Sequence, residues 1–226
     1  MSLRELQERL LAWASDEARK PLLLEARREH FARHGEPHED DKSFEPRMNG
    51  LVDHFLYDFH PGGGTETVLD LFIREGGDAL TTDERATFRD LGRGLHGLFE
   101  VRRIRPGEVR LRDVFTGHDH DVIERRAKVG LEKGDLFEAR LLPYQGRLYF
   151  SGAFLYHPRA VRKPILAEVK RLRKQAGKGG KPDVPAFLGR LSRMAFKLER
   201  YRNVKVESIY DFSAPDPAPS PRPPAG

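Results

Sequence analysis

The sequence predicts an α+β fold, and three observations predict it. Apolar residues recur at helical spacing through most of the first ninety-odd residues. The period then shortens to two between residues 99 and 157, with turn signals at regular intervals. From residue 158 the helical period returns on a strongly basic background. The expected architecture is an N-terminal helical hairpin, two central helices, a small five-stranded antiparallel sheet or barrel, and a basic C-terminal helical pair. The matching division is 1–35 hairpin, 36–47 linker, 48–157 α+β domain, 158–210 basic helical region and 211–226 Pro-rich disordered tail.

The hairpin rests on "LRELQERLLAW", where Leu3, Leu6, Leu10 and Trp13 share a stripe, and on "LLLEARREHFARHG" after Pro21, with Gly35 as the expected C-cap. The polar "GEPHEDDKSFEPR" reads as linker. The apolar run Leu51 to Phe59 reads as a strand or buried extended segment, followed by a three-glycine turn and a helix with Thr65 as N-cap. In "ALTTDERATFRDLGRGLHGLF", Thr81 and Glu84 form a capping box ahead of the stripe Phe88, Leu91, Leu95 and Leu98. "FEVRRI", "EVRLRDV", "HDVIERR", "LFEARLLPY" and "RLYFSGAFLYH" read as five strands, separated by Pro106-Gly107, Thr116-Gly117, Lys133-Gly134-Asp135 and Gln145-Gly146. Two helices, "PILAEVKRLRKQ" and "VPAFLGRLSRMAFKLERYR", follow, and "VKVESIY" suggests one more strand. "SAPDPAPSPRPPAG" cannot bury enough surface to order itself.

Composition removes several function classes. No cysteine occurs among the 226 residues, which excludes disulfides, cysteine-ligated zinc and cysteine nucleophiles. No run approaches the roughly 18 apolar residues of a membrane span, and the N-terminus lacks the apolar stretch of a secretory signal, so a cytoplasmic location is expected. The net charge of +5 is unevenly spread: residues 158–205 hold 15 Lys/Arg against 3 Asp/Glu, whereas residues 1–157 hold 24 against 29.

Enzyme signatures are missing. "HPGGGTET" has no Lys-Ser/Thr pair after its last glycine, and Glu66 would repel an anion there, so the glycines serve chain geometry and not phosphate binding. His30 and His34 lie one helical turn apart, and His118 and His120 share a strand face; either pair could touch a metal, but Glu29 precedes its histidine instead of following it as in zinc proteases. No metal and no cofactor is expected. The aromatic row of "GRLYFSGAFLYH" reads as core-facing, and its likeness to an RNA-recognition signature fails at Ser151, where a basic residue belongs. What remains is the basic helical pair: Lys170, Arg171, Arg173, Lys174, Lys178, Lys181, Arg190, Arg193, Lys197 and Arg200. Such a block neutralises phosphates and releases counterions. The expected function is a non-enzymatic binding protein that engages a polyanion, namely nucleic acid, through these helices. The alternative is a protein–protein adaptor or scaffold component using the stripe Phe187, Leu191, Met194, Leu198 and Tyr201 together with the Pro-rich tail.

Residues 48–157 also resemble a family of uncharacterised bacterial domains. "DHFLYDF", "GLFEVRRIRPGEVRLRDVFTG" and "LEKGDLFEARLLPYQGRLYFSG" carry the likeness, with Leu111, Arg112, Asp113, Thr116, Gly117, Gly134 and Asp135 matching its pattern. In some members a similar region is attached to a zinc-binding SEC-C segment. That segment needs cysteines, so its metal does not carry over to this chain. The resemblance implies no catalytic residue, and the basic helices and tail lie outside it.

Overall fold

Residues 95–157 close into a barrel in the computed structural model, which describes residues 1–76, 79–124, 130–177, 179–201 and 203–214. The strands β1 (Leu95–Arg105), β2 (Glu108–Asp113), β3 (Asp119–Ile123), β4 (Leu136–Tyr144) and β5 (Arg147–His157) lie in the order β1-β2-β3-β5-β4, with β4 pairing back onto β1. Alternation directs Phe99, Val101, Leu111, Val122, Phe137 and Leu141 inward. Phe150 and Phe154 pack against this interior, so most of the aromatic row is indeed turned to the core.

The strands are not purely antiparallel: β3 runs parallel to β5. The chain leaves β3, crosses to form β4 beside β1, and returns through the β4–β5 hairpin, which brings β5 alongside β3 in the same direction. This route closes the sheet and removes its open edges.

Helices pack on one part of this barrel, chiefly against β1, β4 and β5. α1 (Leu3–Ala14) opens with a capping box between Ser2 and Glu5. α2 (Lys20–His34) carries Pro21 in its first turn and ends at Gly35, whose φ of 89° suits glycine. Both helices occur where the sequence placed them, but their principal packing is with other elements: α1 lies against α3 and α4, α2 against α3 and α7.

α3 (Phe44–Tyr57) overturns a strand expectation and starts inside the expected linker. Leu51, Asp53, His54, Phe55, Leu56 and Tyr57 are all buried, on every side of the helix. A helix buried all round shows no 3.6-residue period and cannot be told from an extended apolar run. The glycine stretch then forms a 3-10 turn at Pro61–Gly63, with Gly62 and Gly63 at φ 61° and 71°. Thr67, not Thr65, caps α4 (Val68–Glu75), in a box with Asp70. α5 (Thr82–Leu91) has the expected Thr81–Glu84 box but stops at Leu91, and Leu95 and Leu98 belong to β1. Gly94 permits the turn: a Cβ there would stand 3.0 Å from the Leu141 carbonyl oxygen.

The C-terminal pair is α6 (Arg162–Ala176) and α7 (Val184–Arg200). α8 (Val206–Ile209) replaces the last expected strand; the closed barrel offers no edge to pair with, and Val206 and Ile209 pack instead on the cluster formed by α6 and α7. Phe187, Leu191 and Met194 are buried in that cluster, while Tyr201 is 60% exposed. The start of the expected tail is docked: Arg190 donates to the carbonyls of Asp211 and Ala214, and Phe212 stacks on Phe187. The tail from residue 215 lies outside the described residues. Among the described residues no helix is long and apolar enough to cross a membrane.

α7 crosses α2 at backbone contact. A Cβ on Gly189 would meet the Arg33 carbonyl oxygen at 2.8 Å. Alanine favours a helix by about 1 kcal/mol over glycine, yet here it would wedge the two helices apart. Gly189→Ala is therefore expected to destabilise the protein by about 1–3 kcal/mol, read by urea unfolding. A variant as stable as the parent would show that the helices separate freely.

Candidate functional site

Where α2 and α3 face β1 and β4, the structure forms a polar cleft with two connected lobes. The outer lobe encloses about 430 Å³ and the inner about 40 Å³. α2 contributes His30 and His34, α3 contributes Asp53 and His54, β1 contributes His96, and β4 contributes Glu138 and Arg140. The apolar side chains of Val184, Pro185 and Leu188, at the start of α7, form a lip of the outer lobe. Glu138 and Arg140 alternate with Phe137, Ala139 and Leu141, so the residues that face away from the barrel interior face the cleft.

The imidazoles stand close. Ring centres are 4.4 Å apart for His30 and His34 and 5.2 Å for His30 and His54. His96 Nε2 lies 2.8 Å from Glu138 Oε1. Arg140 pairs with Asp58, and its Nε is 3.9 Å from Asp53 Oδ2. Asp53 accepts from the Ser151 hydroxyl at 2.5 Å. That serine is aimed by a bulge: β5 loses register between the pairs Ala139–Phe154 and Leu141–Phe150, so that residues 151–153 face Arg140 alone, and Gly152 takes φ 116°.

Several buried polar atoms here have no hydrogen-bond partner: His30 Nδ1, both His34 ring nitrogens, His54 Nε2, Glu138 Oε2 and Arg140 Nε. Buried polar groups are nearly always paired, so a group of such atoms around one cleft needs an explanation. Burial holds His30 and His54 below the ordinary imidazole range and His34 down to about 4, so all three are neutral at pH 7. Burial also lifts the Asp53 carboxyl to about 6, against the opposing pull of Arg140 and the Ser151 hydrogen bond. Burial works to raise Glu138 as well, but the hydrogen bond and charge of His96 outweigh it and keep that carboxyl low.

Of the residues the sequence singled out, His30 and His34 are in the cleft. His54, His96, Glu138 and Arg140 went unmarked because three separate elements carry them. The available signal was polarity inside apolar runs: Asp53-His54 within "LVDHFLY", and Glu138 and Arg140 within "LFEARLL". His118 lies in the β2–β3 turn, and His120 meets Phe99 edge-on. Their acidic neighbours Asp119 and Asp121 pair with Arg112 and Arg110. Among the described residues no group of three or more His, Asp or Glu is arranged to hold a metal ion.

The basic residues divide into two groups. Arg171 grips Glu168, Arg193 donates to the Arg33 carbonyl, and Arg200 pairs with Asp41 at 2.6 Å. Arg190 stands over the Phe212 ring, 3.9 Å from Glu168. Arg193 and Arg200 tie α7 to α2 and the segment after it, Arg190 ties α7 to α6 and to residues 211–214, and Arg171 is matched within α6. Lys170, Arg173, Lys174, Lys181 and Lys197 are exposed and form no ion pair among the described residues. Lys178 lies outside the described residues.

The buried histidines predict acid sensitivity. His34 and His157, both lowered to about 4 by burial, take protons near 6.5 once unfolded. Between those values the unfolded state binds more protons, so stability is lost as pH falls from 6.5 toward 4, by about 2 kcal/mol per ring at pH 5. Asp53 acts oppositely: its raised carboxyl favours the folded state as pH drops through 6. From pH 7 to 5 the net loss from these three groups is about 2 kcal/mol. Urea unfolding across that range should show it, and Asp53→Asn should steepen it. A flat profile would mean that the rings are charged or solvated in the folded state.

Comparison with known proteins adds a family. Residues 24–206 match the family described as "family of unknown function (DUF7986)". No curated protein and no solved structure matches the chain. The matched stretch extends beyond residues 48–157 on both sides and takes in the basic helical pair and every wall of the cleft, from His30 to Ser192. On that coverage the chain belongs to the DUF7986 family, a family of unknown function.

Proposed function

We propose that this is a binding protein whose site is the histidine cleft and whose ligand is a small polar molecule. One observation carries the reading: the side chains whose buried polar atoms lack partners, from α2, α3 and β4, all line the same cavity. Leaving such groups unpaired costs about 1–3 kcal/mol each. A fold keeps them at that cost where a ligand completes them, and perturbed titratable groups cluster at such places. The outer lobe is within the size range of small-molecule sites, about 300–1,000 Å³.

A second reading keeps the polyanion expectation but moves its surface. The exposed Lys170, Arg173 and Lys174 on α6, with Lys181 and Lys197, could meet the phosphates of a nucleic acid. The adaptor alternative loses most of its stripe, since Phe187, Leu191 and Met194 are covered by the chain's own core.

The cleft reading has a test that needs no ligand. Replacing a group held at the expense of stability should stabilise the free protein. His34→Leu is expected to add about 1 kcal/mol, or about 2–4 °C in Tm, at pH 7. A loss of several degrees would make His34 a structural residue and count against the site. The polyanion reading is tested by anisotropy with mixed-sequence DNA and RNA over a salt series. Lys170→Gln, Arg173→Gln and Lys174→Gln together should flatten the log–log slope on duplex DNA by up to about 2.7 units. If the parent fails to bind at low salt, that reading is wrong.

A further inference from the structure

We infer that the cleft takes an uncharged, planar nitrogen heterocycle bearing adjacent hydrogen-bond donor and acceptor edges, that is, a nucleobase or its nucleoside. The inference rests on the cleft reading and names its ligand class.

Charge balance is the first argument. The fixed charges around the outer lobe are mixed: Arg33 and Arg140 against Glu29 and Asp58, with Glu138 held by His96 just behind. A phosphate would meet the carboxylates, and an ammonium would meet the guanidiniums. The three buried imidazoles are neutral, and a charged ligand would shift their protonation at further cost. A neutral ligand avoids these penalties.

The second argument is the pattern of unfilled hydrogen bonds. Arg140 Nε can only donate, and the ionised Glu138 Oε2, on the inner lobe, can only accept. Each neutral imidazole offers one donor and one acceptor. A ligand that satisfies this set must present a donor and an acceptor close together. The lactam and amidine edges of nucleobases do so. A simple alcohol or hydrocarbon would leave one side unpaired, and a site with buried polar groups rejects such a ligand strongly.

Shape supplies the third argument. The imidazoles of His30 and His54, with ring planes 35° apart, and Tyr57 line the lobe. The Val184–Pro185–Leu188 lip also borders it. Rings and apolar side chains lining the lobe favour a flat aromatic ligand, because stacking is available to any base.

Isothermal calorimetry on the full chain tests this with adenosine, guanosine, cytidine and uridine, and with glucose, glutamine and inorganic phosphate as contrasting probes. At least one nucleoside should bind saturably, and its 5′-monophosphate should bind within about threefold of it, since the mouth has no net positive charge to reward the phosphate. Glu138→Gln should weaken the nucleoside at least tenfold, because an amide held by His96 through its oxygen turns a donor toward the ligand. His54→Phe, which keeps a ring for stacking, should weaken it less, and gives a second measurement if Glu138→Gln folds poorly. A monophosphate that binds far more tightly than its nucleoside would overturn the neutral-ligand inference. Binding of glucose or glutamine with none of any nucleoside would overturn it too, yet leave the cleft reading standing. If none of the probes binds, the nucleoside inference fails, and the stability of His34→Leu decides separately whether the cleft is a site.

Discussion

The contact between α7 and the pair α2–α3 is the constraint on which the rest depends. Arg47 of α3 is buried, and it donates to Ser43 Oγ, to Ser192 Oγ at 2.6 Å and to the Ser192 carbonyl, with the Phe196 ring 3.3 Å beneath its guanidinium. Burial lowers its pKa to about 10, against the opposing pull of Glu138, Glu199 and Asp41. Ser192 passes the link on by donating to the His34 carbonyl. On one side of this seam Gly189 lets the helices touch; on the other, Glu199 holds Ser43. A buried cation with its partners removed is strongly destabilising, so the seam must form whole. Its formation fixes the end of α2 that carries His34 and the start of α3, two turns before His54.

The barrel supplies the opposite wall, by a device that period-two reasoning conceals. In an isolated barrel the outward residues of a strand meet water, and Glu138 and Arg140 fit that pattern. Here the outward face of β4 is covered by helices, so the same alternation places two charges inside the molecule. Each is paired at once, Glu138 by His96 and Arg140 by Asp58. The bulge at Gly152 completes the wall by turning Ser151 onto Asp53. A straight β5 would keep the barrel and lose that contact.

This explains what was legible in the sequence. The five strands, the capping box at Thr81 and the basic helical pair were readable because each depends on neighbours a few residues away. α3 was misread because uniform burial erases the helical period, and α8 because its alternation suggested a strand where the closed barrel leaves no edge. The cleft was half visible. The spacing of His30 and His34 marked one wall, but nothing local says that Asp53, His96, Glu138 and Arg140 converge on it. The charge asymmetry was real, yet a sequence does not reveal which cations are already matched.

That matching follows the chemistry of the two basic side chains. Between residues 158 and 205, Arg159 pairs with Asp135 and Glu132, Arg162 with Glu100, Arg171 with Glu168 and Arg200 with Asp41. Arg190 and Arg193 donate to backbone carbonyls. Most of these acceptors lie in the acidic first 157 residues, so the fold neutralises much of its own asymmetry. Lys163, Lys170, Lys174, Lys181, Lys197 and Lys205 are all exposed and form no ion pair among the described residues. A planar guanidinium makes several directed bonds at little entropic cost and suits a seam, whereas an ammonium is a hydrated point charge that stays in water. Of the arginines described here, only Arg173 joins the lysines. Any polyanion meeting this surface would therefore be held mainly by undirected charge, with little geometry to tell one molecule from another.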